Sequence, residues 1–202
     1  MPVCRRKPSQ DRSREKYEII LTAAKQLIGE RGNDAVSMRE IAKAAGVAPS
    51  SIYQYFPDKN AILTAIMAGY YEQIQRMLES VANEAESVEQ LPHALSKGVD
   101  MFYDMFSREP TLATIWAGIQ ANTVLRDLDM DDSIANTKLL AGRIFELLPD
   151  ADPQEAYDAG LLMIQMLGVT VRMALAMEEE EGQRLIREFK TLARLRIQAF
   201  LK

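Results

Sequence analysis

Ser50, Ser51, Tyr53, Gln54 and Tyr55 crowd onto one short stretch of the segment SMREIAKAAGVAPSSIYQYFPDK, residues 37–59. Their chemistry suits nucleic-acid recognition rather than catalysis. Serine hydroxyls and backbone N–H groups fit base edges and phosphates, a glutamine carboxamide can pair bidentately with adenine N6 and N7, and rigid phenol rings carry hydroxyls out to phosphate. Catalytic equipment is sparse by comparison. His93 is the one histidine and sits beside Pro92 at a helix start; no His/Cys metal set, phosphate-cradling glycine loop or nucleophile elbow accompanies it. An enzyme is therefore not expected, and neither is a cofactor.

Two short helices are needed to present those side chains. Ser37 and Glu40 stand at the S-x-x-E spacing of a capping box, which starts a helix over Met38 to Ala45. Gly46 supplies the positive φ that ends it, and Val47 turns inward as a plug. Pro49 opens the next helix, because its missing N–H has no partner at a first position anyway, and Pro57 stops it after Tyr55. Ile41, Ala42, Ala45, Val47, Ile52 and Phe56 are the apolar set two steeply crossing helices must bury. The segment reads as a helix-turn-helix that enters a DNA groove.

This run resembles the DNA-binding domain of the TetR family of bacterial transcriptional regulators. The Ser-opened helix at Ser37, the A-x-x-A-G-V turn from Ala42 to Val47, the Tyr-x-x-Phe from Tyr53 to Phe56 and the following Lys59 match without a gap. The likeness is specific over residues 12–64 and weak beyond. Met38 departs from the Thr or Val of many relatives and is assigned no DNA contact. The resemblance implies that Arg39, Ser50, Ser51, Tyr53, Gln54, Tyr55 and Lys59 occupy DNA-touching positions, with Lys59 a point charge on phosphate. It further implies a ligand-responsive regulator, a homodimer formed through a four-helix bundle of the last two helices, and repression as the commoner mode; the alternatives are an activator of the same fold or a helical protein-interaction module without DNA binding.

The net charge of −5 hides an asymmetry that favours such a reading. Residues 1–59 hold eleven Lys/Arg and seven Asp/Glu, net +4; the remaining residues hold 24 − 11 = 13 basic and 29 − 7 = 22 acidic, net −9. A basic end releases counterions from phosphate, whereas an acidic body is repelled by the polyanion. Cys4 is the single cysteine, so no intramolecular disulfide can form. The first residues lack the apolar core of a secretory signal, which points to the cytoplasm.

Taken in order, residues 1–11 are expected as a basic tail, Arg5, Arg6 and Lys7 being followed by Pro8. Residues 12–57 form the helix-turn-helix domain, its first helix carrying Tyr17, Ile20, Leu21, Ala24, Leu27 and Ile28 on one stripe and stopping at Gly32. Residues 58–84 form a linker helix capped by Asp58, about 38 Å long at 1.5 Å per residue. Residues 85–202 show only helical periodicity, with helices near 91–107, 110–121, 123–148, 153–177 and 182–201, a break being admitted around Asp129 to Asp132. The fold class is all-α: a three-helix DNA-binding head joined by the long linker to a helical ligand-binding and dimerisation domain.

Ala159 to Met177 is apolar enough to raise the question of a membrane span. Gln165, Thr170 and Arg172 interrupt it and acidic residues follow it directly, so a buried helix is the better reading and no membrane is expected. A helix apolar on nearly every side must be covered on every side. Gly160 and Gly168, with Leu185, Phe189, Leu192 and Phe200 of the last helix, offer a surface for a second copy. Two heads on a twofold axis would then read a pseudo-palindromic double-stranded operator.

The second domain is expected to hold a small, largely apolar effector. Phe102, Met105, Phe106, Trp116, Ile119, Met163 and Met166 supply soft and aromatic lining, and Gln120 and Arg172 supply polar anchors. Asp129, Asp131 and Asp132 lack the spacing and glycine of a calcium loop and read as a solvated turn.

Overall fold

A computed structural model describes residues 7–119 and 122–200, and the side chains among them except those of residues 7–11 and 110. Among these residues there are nine helices and no strand: α1 Lys7–Arg31, α2 Met38–Ala44, α3 Pro49–Ile52, α4 Lys59–Glu84, α5 Leu91–Arg108, α6 Pro110–Ala117, α7 Thr123–Leu147, α8 Pro153–Leu175 and α9 Glu179–Ala199. The all-α expectation is met. The chain divides into two compact units, one of Met1–Gly69 with Pro110–Leu125, the other of Tyr70–Glu109 with Arg126–Lys202. The division differs from a simple order along the chain, because residues 110–125 return to the first unit.

In the first unit, α1 packs on α2 and α6, and α2 on α3. Ile20, Ala24 and Ile28 of α1 are buried with Val36, Ile41, Ile52 and Phe56, the apolar stripe anticipated from spacing. Tyr17 stacks on Phe56 with ring centroids 4.8 Å apart. Gly29 lets α6 sit close, since a Cβ there would run into the Thr111 hydroxyl, which donates to the Lys25 carbonyl at 3.0 Å. Helix α1 begins at Lys7, inside the expected tail, while Arg5, Arg6 and Cys4 lie outside the described residues.

The second unit is held by α8 on α9 and by α5 on both. Asp152 caps α8 by accepting from the Gln154 and Glu155 N–H groups, with Pro153 in the first turn, as its sequence foretells. Gly182 brings the start of α9 onto the end of α8; a Cβ there would overlap the Ala174 carbonyl. Val81, Ala85, Leu91, Ala94 and Ile197 form a buried cluster, and Arg143 donates to the Ala82 and Ala85 carbonyls near the end of α4.

Several local expectations are corrected. Helix α7 is unbroken from Thr123 to Leu147, so Asp129 and Asp132 lie within a helix rather than in a solvated turn; their partners on α4 and α7 give them a reason to face inward. Helix α3 is α-helical for four residues only, and residues 53–55 continue as turns in which the Gln54 and Tyr55 N–H groups bond three residues back. A Cβ at Gly160 would meet the Thr137 methyl of its own chain at 3.4 Å, and Gly168 and Phe189 are buried in their own unit.

Candidate nucleic-acid interface

The presentation of the helix-turn-helix starts at Ser37. Its hydroxyl accepts from the Glu40 N–H at 3.3 Å while the Ser37 N–H donates to Glu40 Oε2 at 2.9 Å, the reciprocal pair that satisfies two free donors at the helix start. Arg31 donates to Glu40 Oε1 at 3.0 Å and ties the end of α1 to the same point. The Ser37 contacts, then Arg31, hold the Glu40 carboxyl down at about 2.

At the other end of α2, Gly46 has φ +65°, the Val47 N–H donates to the Ala42 carbonyl at 3.0 Å and the Gly46 N–H to the Lys43 carbonyl at 3.2 Å. This double closure is the Schellman arrangement, and it fixes the angle at which the chain enters α3.

What α3 then presents follows from its burial pattern. Ile52 and Phe56 face the core, leaving Ser50 and Gln54 exposed, Tyr53 52% exposed, and Ser51 and Tyr55 partly so. Arg39 on α2 is exposed as well. These six belong to one helix-turn-helix and are exposed or partly exposed.

Lys59 is placed differently. Its ammonium donates to the Asn33 carbonyl at 2.8 Å and the Val36 carbonyl at 3.2 Å, within the head. It closes the loop between α1 and α2, with one N–H remaining of its three. The helix stop at Gly32 leaves carbonyls of residues 33–36 without helical partners, and a cation at a following helix start can supply donors.

The expected effector-lining residues are distributed over both compact units. Phe102, Met105, Phe106, Met163, Met166 and Arg172 belong to the second unit, Trp116 and Ile119 to the first, and Gln120 lies outside the described residues. Phe106, Trp116 and Ile119 are buried, and Phe102 rests on Phe106 with ring centroids 4.8 Å apart. An open groove of about 460 Å³ in the first unit is lined by Glu15, Glu18, Ile19, Gln26 and Leu27 of α1 and Ala44 of α2, none of which is among the expected effector-lining residues.

A capped helix, a glycine-closed turn and a second helix with polar residues turned outward define a helix-turn-helix DNA-binding protein. Comparison with known proteins makes this specific. Residues 20–66 match the bacterial regulatory proteins of the tetR family, and residues 89–201, more than half of the chain, match the tetracyclin repressor-like C-terminal domain. The chain belongs to the TetR family, whose members are DNA-binding transcriptional regulators rather than enzymes.

Among individual relatives, the fatty acid metabolism regulator protein of Bacillus subtilis is 39% identical over 85 residues, covering 42% of this chain and 44% of that protein. The chain spans about half the length of the curated relatives it matches. Of solved structures, a TetR-family regulator from Streptomyces coelicolor superposes with a TM-score of 0.71 at 22% identity, covering 92% of this chain and 99% of that one. The fatty acid degradation regulator FadR of Bacillus halodurans gives 0.68 at 26% identity, covering 89% and 94%.

Proposed function

We propose that this chain is a cytoplasmic transcriptional repressor that binds a pseudo-palindromic operator as a homodimer and is released by a small effector held in its C-terminal domain. The observation that carries the reading is the outward set on the helix-turn-helix, Arg39, Ser50, Ser51, Tyr53, Gln54 and Tyr55, on the basic end of the chain. Serines and Gln54 are suited to base edges, and Arg39 and the tyrosines to phosphate. Lys59 serves the same surface indirectly, by holding the loop that precedes α2.

Dimerisation through α8 and α9 is supported by what those helices leave uncovered. Leu162, Val169 and Met173 recur at i, i+7 and i+11 on α8 and are 57%, 47% and 48% exposed, and Leu192 and Leu195 stand out on α9. Helix α8 is long and apolar enough to cross a membrane by length and composition. Against that, it carries Glu155, Asp158 and Arg172, and a stripe of this kind is what a second copy would cover.

The division of labour is a head at residues 12–57, a linker at 58–84 and an effector and dimerisation domain at 85–202. Helices α4 and α7 each carry residues of both compact units, which gives an effector a continuous backbone to act on. A coupling of ~1–3 kcal/mol corresponds to about 5–150-fold in operator affinity.

Selecting bound fragments from genomic DNA tests the proposal. The expected product is a set of duplexes with two inverted half-sites about a helical turn apart. Recovery of no duplex, or of sites without twofold symmetry, would count against it.

A further inference from the structure

Helix α1 carries two apolar stripes, and the core of the head uses one of them. Ile20, Ala24 and Ile28 are fully buried. Ile19, Ala23 and Leu27, at i, i+4 and i+8, run along another side of the helix, with Ile19 42% exposed and Ala23 and Leu27 half-buried. Together with Ala44 at the end of α2 they line the open groove of about 460 Å³. From Glu15 to Leu27 the groove follows α1 for about 18 Å at 1.5 Å per residue, some three turns. None of its residues belongs to the outward set of α2 and α3.

The residues that continue this stripe indicate what would cover it. Arg12, Lys16, Ile19, Ala23, Gln26 and Glu30 follow one another at alternating intervals of four and three, the repeat by which one long helix meets another. Charge changes sign along the stripe, from two cations at its start, through two apolar residues, to a carboxylate at its end. Arg12, Lys16 and Glu30 are all exposed, and among the described residues neither cation is held by a carboxylate. Glu30 Oε1 accepts from Gln26 Nε2 at 2.9 Å, which leaves the carboxylate its charge. Such a stripe is complementary to its own reverse. In an antiparallel pair with a twofold axis at Ala23, residues seven to either side face each other, so Lys16 meets Glu30 of the partner subunit. Residues four to either side set Ile19 against Leu27 of the partner subunit, and Ala23 at the crossing has only a methyl to keep the axes apart. A parallel pair would instead place like charges side by side.

We infer that this outward face of α1 docks antiparallel on the same face of a second copy, at a contact separate from that of α8 and α9. One helix face of some three turns belongs to the small, weak class of interfaces rather than the permanent one. It therefore forms where the local concentration of the chain is high, a condition met when two dimers occupy neighbouring sites on one DNA. Heads joined in this way fill adjacent sites cooperatively.

Cross-linking of the full chain at millimolar concentration and low salt, without DNA, tests this. In a Cys4→Ser background, Ala23→Cys treated with a short bis-maleimide should give covalent dimers about tenfold faster than Arg14→Cys, an exposed position half a turn away around the same helix. Adding Lys16→Glu should slow the Ala23→Cys reaction to the Arg14→Cys rate, since it sets two carboxylates against each other. Adding Glu30→Lys to that variant should restore the rate, because the reversed pair is complementary again. Both charge changes fall at exposed positions and should leave the melting temperature where it was. Cross-linking at residue 23 no faster than at residue 14, indifferent to Lys16→Glu, or not recovered in the double reversal overturns the inference. Residue 23 reports this face alone, so the outcome is independent of any dimer formed by α8 and α9, which sedimentation of Lys16→Glu measures separately.

Discussion

The helix-turn-helix and the face of α7 that carries Asp129, Asp132, Ser133, Asn136 and Thr137 satisfy their polar groups in different ways. Around α2 the exposed backbone groups and charges have near neighbours in sequence: Ser37 with Glu40, Val47 with Ala42, Arg31 with Glu40. Around α7 the partners come from other helices, Tyr71 from α4 and Gln165 from α8, and one acceptor remains unmatched. The lesson is that polar groups at a surface can be satisfied by neighbours in sequence, whereas those between packed helices depend on residues far along the chain. Four perturbations would break or sharpen this contrast.

The largest effect is expected at Gly182. A Cβ there meets the Ala174 backbone carbonyl, which cannot swing away as a side-chain tip could, so Gly182→Val should cost about 3 kcal/mol. Urea denaturation read by circular dichroism checks it, and the loss should fall on the second unit with the head motif unaltered.

Lys59→Ala comes next. Removing an ammonium from two carbonyls should cost about 1.5–2 kcal/mol of head stability. Because the ammonium is engaged inside the head, the salt dependence of DNA binding should change by much less than the unit slope expected for a lost phosphate contact. A full unit lost from that slope would give Lys59 back to the phosphate. Gln54→Ala should alter the selected base at one operator position, worth ~1–3 kcal/mol of discrimination, and leave stability alone. A selection profile identical to the parent's would remove Gln54 from base recognition.

The effects of pH run in opposite directions at two carboxylates. Glu40 is held at about 2 against a usual 4.5, so its contribution to the head is present above pH 4.5 and is lost as pH falls toward 2. Asp132 is raised to about 7 from a usual 3.8, so between those values the folded chain binds more protons than the unfolded one, and stability declines as pH rises through that window. Melting followed from pH 2 to 8 with Glu40→Gln and Asp132→Asn should flatten the acid limb in one variant and the decline toward neutrality in the other.

How much could be read from the chain follows the same contrast. The capping box, the positive-φ glycines at 32 and 46, the proline starts and the buried stripe of α1 all depend on neighbours within a few residues, and each is legible as spacing. The task of Lys59 depends on a loop some twenty-five residues back, and the inward turn of Asp129 on a tyrosine fifty-eight residues away. An acidic run reads as solvated because carboxylates usually are. Only a helix carrying Tyr71 past them reverses that, and nothing in the local pattern announces it.

The most direct measurement is the affinity of the full chain for a selected operator duplex as a function of salt. With several phosphates neutralised by the basic end of the chain, affinity should fall steeply and linearly in logarithmic terms, by on the order of 10³-fold or more between about 50 and 200 mM. An affinity indifferent to salt, or no binding to the duplex at the lowest ionic strength, would contradict the account.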